Sequence, residues 1–187
     1  SAAEDAKRVA RTLRVDDGQV DAAATGMLAP FERREGENPY AVHADLTETM
    51  HELVGIIRTR AELEEALTRI SRLRERAQRV GVKGSRIYNP GWHLALDLFT
   101  LLTVSEAVAM SALLREESRG GHTRDDFPKP DPEWGKKNVV VRRREGKLVL
   151  KPEPLPGVPA ELRPLIGDDK PTGKVALEPV AAASAKE

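Results

Sequence analysis

Two places in this chain join a helix cap to a proline, Asn38-Pro39 and Asn89-Pro90, and between them Thr59-Arg60-Ala61-Glu62 spells a capping box. Asparagine at an N-cap accepts a hydrogen bond from one of the first free amides. Proline at the first helical position lacks an N–H that would have had no intrahelical partner. In the capping box the threonine hydroxyl takes the amide of Glu62 while the Glu62 carboxylate reaches back to the amide of Thr59. Three marked starts at this spacing cut the middle of the chain into three long helices and leave few other ways to fold it.

Periodicity agrees with the caps. Between Pro39 and Arg58, apolar residues recur at Val42, Leu46, Met50, Leu53 and Ile57, a heptad-like seam. The segment opened by Thr59 carries Leu63, Leu67, Ile70, Leu73 or Arg74, Ala77 and Val80 on one side and charge on the other. The third helix is expected from Asn89 to about Glu117. Leu94, Leu96, Leu98, Phe99, Leu101, Leu102 and Val104 leave its first half little polar surface, so it is expected to lie between neighbours. The predicted fold class is all-α, an antiparallel three-helix bundle of the spectrin-repeat kind over residues 38–135.

On the N-terminal side, residues 1–37 read as a helical lead-in. Ala2, Ala6, Val9 and Leu13 mark a short amphipathic helix to about Arg14, and Val20, Ala23 and Met27 mark a second from about Gln19 to Arg33. Pro30 is expected to bend or end that second helix. Past the bundle the period shortens. Asn138-Val139-Val140-Val141-Arg142 and Lys147-Leu148-Val149-Leu150 flank Arg144-Glu145-Gly146, which predicts a β-hairpin over residues 136–151. Residues 152–187, rich in proline, alanine and charge, are expected to form an extended tail.

Charge and composition narrow the chemistry. The 187 residues hold 30 lysines plus arginines and 30 aspartates plus glutamates, so no long-range field draws the chain to nucleic acid or anionic membrane. With no cysteine there is no disulfide, thiolate metal site or cysteine nucleophile, which fits a reducing cytoplasmic compartment. No stretch approaches about 18 consecutive apolar residues, so direct membrane insertion is not expected. Ser1-Ala2-Ala3-Glu4-Asp5-Ala6 lacks the basic flank and apolar run of a signal peptide. A start without methionine suits a C-terminal piece of a longer protein.

Phosphate loops, His-Glu-x-x-His patterns and Gly-x-Ser-x-Gly elbows are absent from the sequence. His43, His51, His93 and His122 show no ligand spacing and read as solvated or packed side chains, so no metal is expected. Arg142-Arg143-Arg144 with Lys136 and Lys137 is the one basic concentration. Without aromatic residues for base stacking it reads as a solvated or partner-facing edge rather than a nucleic-acid site.

The densest chemistry lies in Glu117-Ser118-Arg119-Gly120-Gly121-His122-Thr123-Arg124-Asp125-Asp126-Phe127-Pro128. Gly120 and Gly121 can take the left-handed conformation that closes a helix, and Pro128 and Pro130 forbid its continuation. Arg119, His122 and Arg124 form a fork suited to carboxylate or phosphate. The more economical reading pairs them with Asp125, Asp126 or the open carbonyls of the preceding helix. Asp97, inside the apolar helix, needs a partner if buried, with Arg119 or Arg86 expected to supply it.

This run resembles the Glu-Ser-Arg-Gly-Ala-His-x-Arg-x-Asp-Tyr-Pro signature of flavoprotein subunits in the succinate dehydrogenase and fumarate reductase family. Glu37-Asn38-Pro39-Tyr40, Val54-Gly55-Ile56-Ile57-Arg58-Thr59, Leu63 to Leu67, Asn89 to Leu98 and Trp134 follow in the family's order. Gly121 stands where alanine is usual and Phe127 where tyrosine is usual. The resemblance implies the C-terminal helical domain of such a flavoprotein. The parent would hold FAD in a preceding domain, bind a dicarboxylate beneath a capping domain and pass electrons to an iron–sulfur subunit. The complex would be peripheral on the cytoplasmic face of the membrane.

None of the family's flavin-binding glycines, flavin-linking histidine or substrate residues has a match here, so no catalytic or cofactor-binding residue is carried over. Arg119, Gly120, His122, Arg124, Asp97 and Trp134 are structural or signature positions in this reading. Within the wider family, the end of an L-aspartate oxidase is similar. That enzyme usually lacks the arginine found at Arg124 and the tryptophan and hairpin that follow. A reading from outside the family is a free-standing helical adaptor that binds a partner through its bundle and basic hairpin.

Overall fold

The computed structural model describes residues 2–8, 15–33, 35–157 and 159–162. It divides into two compact units, Ser1–Glu153 and Pro154–Glu187. The first unit is mostly helical. Its helices are α1 (Ala2–Arg8), α2 (Asp17–Glu32), α3 (Pro39–Leu53), α4 (Arg60–Ala77) and α5 (Pro90–Leu114). In the second, the described residues contain one turn, closed by the Leu162 amide on the Pro159 carbonyl at 3.0 Å. The predicted helical residues Val9 to Arg14 and most of the predicted tail, 163–187, lie outside the described residues.

The three marked starts are where the long helices begin. Asn38 accepts the Tyr40 amide at 2.9 Å, and Asn89 accepts that of Trp92 at 3.1 Å. The capping box closes in both directions, with Thr59 N donating to Glu62 Oε2 at 2.7 Å and Glu62 N to Thr59 Oγ1 at 3.3 Å. Thr59→Ala is expected to lower the unfolding free energy by about 1 kcal/mol, and Thr59→Ser to keep most of it. Urea denaturation of the three proteins reads the difference, and equal midpoints would show the cap to be dispensable.

α3, α4 and α5 each pack on the other two. Val42 and Leu46 of α3, Leu63, Ala66, Ile70, Leu73 and Ala77 of α4, and Ala95, Leu98, Leu102, Ala109 and Ala112 of α5 form the core. The ambiguity in α4 resolves to Leu73, because Arg74 turns outward to Glu106 at 2.7 Å. α2 joins by its last turn. Phe31 packs at a tilt against Trp92, ring centroids 5.4 Å apart, and the Trp92 indole N–H donates to the Met27 carbonyl at 2.7 Å. Pro30 is buried two residues before α2 ends, so the helix stops soon after a residue that cannot donate an intrahelical bond. Beyond it Gly36 and Gly81 cross so closely that a Cβ on Gly81 would fall on the Arg33 carbonyl.

Three expectations are corrected. α3 stops at Leu53, not Arg58. Val54-Gly55-Ile56-Ile57 combines β-branching with glycine, and Thr59 must be extended to cap α4, so Ile57–Arg58 becomes the strand β1. β1 pairs in parallel with β2 (Thr123–Arg124), from the middle of the signature run. α5 stops at Leu114, not Glu117. Nor is α5 wrapped all round, since Phe99, Leu101, Val104 and Val108 are exposed opposite or beside its buried stripe. By length and composition α5 is one helix that could cross a membrane, although its stripe from Ala95 to Ala112 packs in the core.

The hairpin forms from β3 (Lys137–Arg144) and β4 (Lys147–Pro154), longer than expected. Its two-residue turn, Glu145-Gly146, has φ of 49° and 78°. Such a turn matches the right-handed strand twist, and glycine meets its second position without strain. Arg142, Arg143 and Arg144 are all exposed, and Arg142 bonds Glu153 across the hairpin at 3.1 Å.

Candidate functional site

The end of α5 builds a closed ionic knot from residues that hydropathy alone would place outside. Glu117 is fully buried. Its carboxylate accepts from Arg115 at 2.8 Å, from Arg119 at 3.1 Å and from the Asp131 amide at 2.7 Å. Burial pushes the carboxyl up, but the bonds from Arg119, Asp131 and Arg115 outweigh it and hold it at about 2. Arg119 also donates to the Asp131 carbonyl, and Arg115 to that of Trp134, each at 3.0 Å. Arg115 lies 5.5 Å from the centroid of the Trp134 ring. The knot therefore ties the C-terminus of α5 to the segment that enters the hairpin.

Arg124 is the largest fully buried side chain. Its fork grips Asp126 twice, at 2.7 and 2.6 Å. One nitrogen of the same group donates to the carbonyls of Ala112, Leu113 and Arg115 at 2.9, 3.2 and 3.4 Å. These belong to the group of carbonyls that a helix end leaves without intrahelical donors. The guanidinium also sits 5.0 Å from the centroid of Phe127. The Arg124 bond holds the Asp126 carboxyl at about 2.

His122 completes the turn. Its amide and carbonyl exchange bonds with Arg119 at 3.0 and 2.7 Å, around Gly120 at φ 59°. Gly121 does not need such a φ, and a Cβ there would meet open space, so alanine would fit equally well. His122 Nε2 lies 3.0 Å from the Arg115 carbonyl, which can only accept, so Nε2 carries the hydrogen. Nδ1 then accepts from Arg58, 3.4 Å away. Burial, with the charges of Arg58, Arg124 and Arg115, pushes the imidazole down, in keeping with a neutral ring.

The signature positions Arg119, Gly120, His122 and Arg124 thus gather with Trp134 at one end of α5, and Asp97 does not join them. It is exposed on α5; Arg119 serves Glu117, and Arg86 faces Glu32 at 3.9 Å. Glu117, Arg115 and Arg58 are central here and were missed as a set. For Glu117 and Arg115 the sequence signal is a glutamate two residues from an arginine on either side, beyond the apolar part of α5, and Arg58 had only its place in the Val54–Thr59 stretch of the family resemblance. Among the described residues no group of histidine and carboxylate side chains is placed to hold a metal.

A helical core that grips its own terminal turn through buried ion pairs, and leaves one face of its most apolar helix bare, defines a mostly helical domain closed by a hairpin. Residues 43–164 match the family described as fumarate reductase flavoprotein C-term, and the chain belongs to that family. It is 33% identical over 144 residues to a succinate dehydrogenase flavoprotein subunit of Coxiella burnetii, across 76% of this chain and 24% of that protein. It is 31% identical over 131 residues to a fumarate reductase flavoprotein subunit of Haemophilus influenzae, across 67% of this chain and 22% of that protein. Among solved structures, Mycobacterium smegmatis Sdh1 in complex with UQ1 matches with a TM-score of 0.80 and 42% identity, over 89% of this chain and 29% of that one. The chain thus spans about a quarter of the length of the relatives it matches.

Proposed function

We propose that this chain is the C-terminal helical domain of a flavoprotein subunit that interconverts succinate and fumarate with FAD. In this reading it docks within that flavoprotein and shapes it, without being catalytic alone. The observation that carries the reading is the state of the signature run. Glu117, Arg119, Arg124 and Asp126 are bound to one another or to backbone, so the matching segment offers internal ties where a substrate site would offer open donors. The partners are the flavin-binding and capping domains of the same polypeptide and an iron–sulfur subunit, in a complex peripheral on the cytoplasmic face of the membrane. The scaffold is an antiparallel three-helix bundle over residues 38–135, with a lead-in over 1–37, the hairpin over 136–151 and a tail over 152–187.

The test is to mix the purified chain with the separately produced flavin-binding and capping portion, then follow size exclusion at the flavin absorbance band. Co-elution is expected, and the chain alone should leave succinate unoxidised by an artificial acceptor. Separate elution at micromolar concentration, or turnover by the chain alone, would overturn the reading.

A further inference from the structure

Beside the signature turn lies a half-buried cation with no carboxylate against it. Arg58, half-buried at the end of β1, donates to the Gly55 carbonyl at 2.7 Å and faces the His122 ring, and among the described residues no carboxylate pairs with it. Burial first, then the charge of Arg124, pulls its pKa down, so its surroundings oppose the charge rather than balance it. Arg115 lines the same hollow but is already bound to Glu117 at 2.6 Å. The hollow measures about 480 Å³, and its walls are Val104 and Val108 of α5 and Val139 and Val141 of β3.

The hollow is one end of a longer uncovered stripe. Val104 and Val108 are 57% and 43% exposed, and Leu101, 37% exposed, continues the same face for one turn, as far as the exposed Asp97. From Leu101 to Val108 the helix rises roughly 10 Å at about 1.5 Å per residue, so this face and the hollow together form an apolar patch larger than a small anion covers. Relatives carry this domain as about a quarter of their length, so most of their chain is other protein able to lie on that face.

We infer that the groove between α5 and β3 receives an apolar segment of the flavin-binding portion of the same polypeptide, and that an aspartate or glutamate on that segment pairs with Arg58. The inference rests on the docking reading above and adds the face and the charge that make the contact. Valine walls take the segment's side chains, and the guanidinium takes its carboxylate bidentately in a site the segment itself shields from water. A half-buried cation with no carboxylate of its own domain against it becomes a selector for the correct partner.

The test is calorimetric titration of the separately produced flavin-binding and capping portion into four versions of this chain. Arg58→Glu and Val108→Asp are each expected to weaken association about tenfold or more, while Arg72→Glu, exposed on α4, leaves it unchanged. Added salt should weaken the wild type more than Arg58→Glu. Val108→Asp alters an exposed side chain and so keeps the test valid if Arg58→Glu folds poorly. No association of the wild type would overturn both the docking reading and this inference. Association indifferent to Arg58→Glu and Val108→Asp would overturn this inference alone. Self-association of the chain, abolished by Val108→Asp, would assign the face to a second copy and also overturn it.

Discussion

Arg124→Met is expected to lower the unfolding free energy by about 3 kcal/mol, near the lower end of what breaking a buried charged contact costs. Methionine approximates the volume of the arginine stem, so little of the loss comes from a cavity. What disappears is the donor set. The Ala112 and Leu113 carbonyls lose their bonds at 2.9 and 3.2 Å, and the Arg115 carbonyl keeps only its contact with His122 Nε2 at 3.0 Å. Asp126 is 30% exposed and can turn to solvent, so the freed carboxylate adds less than the orphaned carbonyls. Arg124→Lys keeps the charge but cannot reach Asp126 and three carbonyls with one ammonium, and it should recover less than half of the loss. Urea unfolding followed by circular dichroism decides the matter. A loss below about 1 kcal/mol for the methionine variant would show that the carbonyls find other donors.

The parts of this fold legible in the sequence are those that local chemistry settles. Asn38-Pro39, Thr59 with Glu62, and Asn89-Pro90 start helices through bonds that reach no further than three residues. Glu145-Gly146 makes its turn for the same reason. The membership inferred from the signature run stands for a different reason, since an ordered string of charged residues and glycines can be matched without knowing what it touches.

What escaped depends on distant partners. Nothing near Ile57 announces that it will pair with Thr123, so the helix pattern ran on through Val54. Charge misled at the centre of the site. The most buried large side chains include Arg124 and Glu117, which a hydropathy reading puts on the surface. Each is buried because the other charges of the run come with it, and that mutual dependence has no periodicity to betray it. Uniform composition misled in the opposite direction. α5 is so evenly apolar that its sequence shows no preferred face, and the bare stripe around Val104 became visible only once α3 and α4 had taken their side. The groove with the unpaired Arg58 could not be seen before that stripe and the hairpin were placed together.

Glu117→Gln should test the knot from its anionic side, with an expected loss of about 2–4 kcal/mol near neutral pH. The amide is nearly isosteric, but its nitrogen faces guanidinium donors. Arg115 and Arg119 would then crowd together with no anion between them, and the Asp131 amide would lose a charged acceptor at 2.7 Å. The pH dependence identifies the cause. In the folded wild type the carboxyl is held at about 2 against an ordinary 4.5, so its contribution is complete above about 4.5 and fades as pH falls towards 2. The glutamine variant cannot lose what it lacks, so the two stabilities should converge over that window, while the shared contribution of Asp126 cancels in the difference. A gap that stays constant from neutral pH down to about 2 would mean that shape rather than charge carries the effect. The damage should also be local at first. Glu117 reaches the hairpin through Asp131 directly and through Arg115 to Trp134, whereas α3 and α4 pack through apolar contacts that the variant leaves alone. Amide hydrogen exchange in Lys137–Arg144 should therefore accelerate well before exchange in Arg60–Ala77 does. Equal acceleration in both would show that the knot supports the whole helical core, and that the hairpin wall of the groove is no more dependent on Glu117 than the rest of the domain.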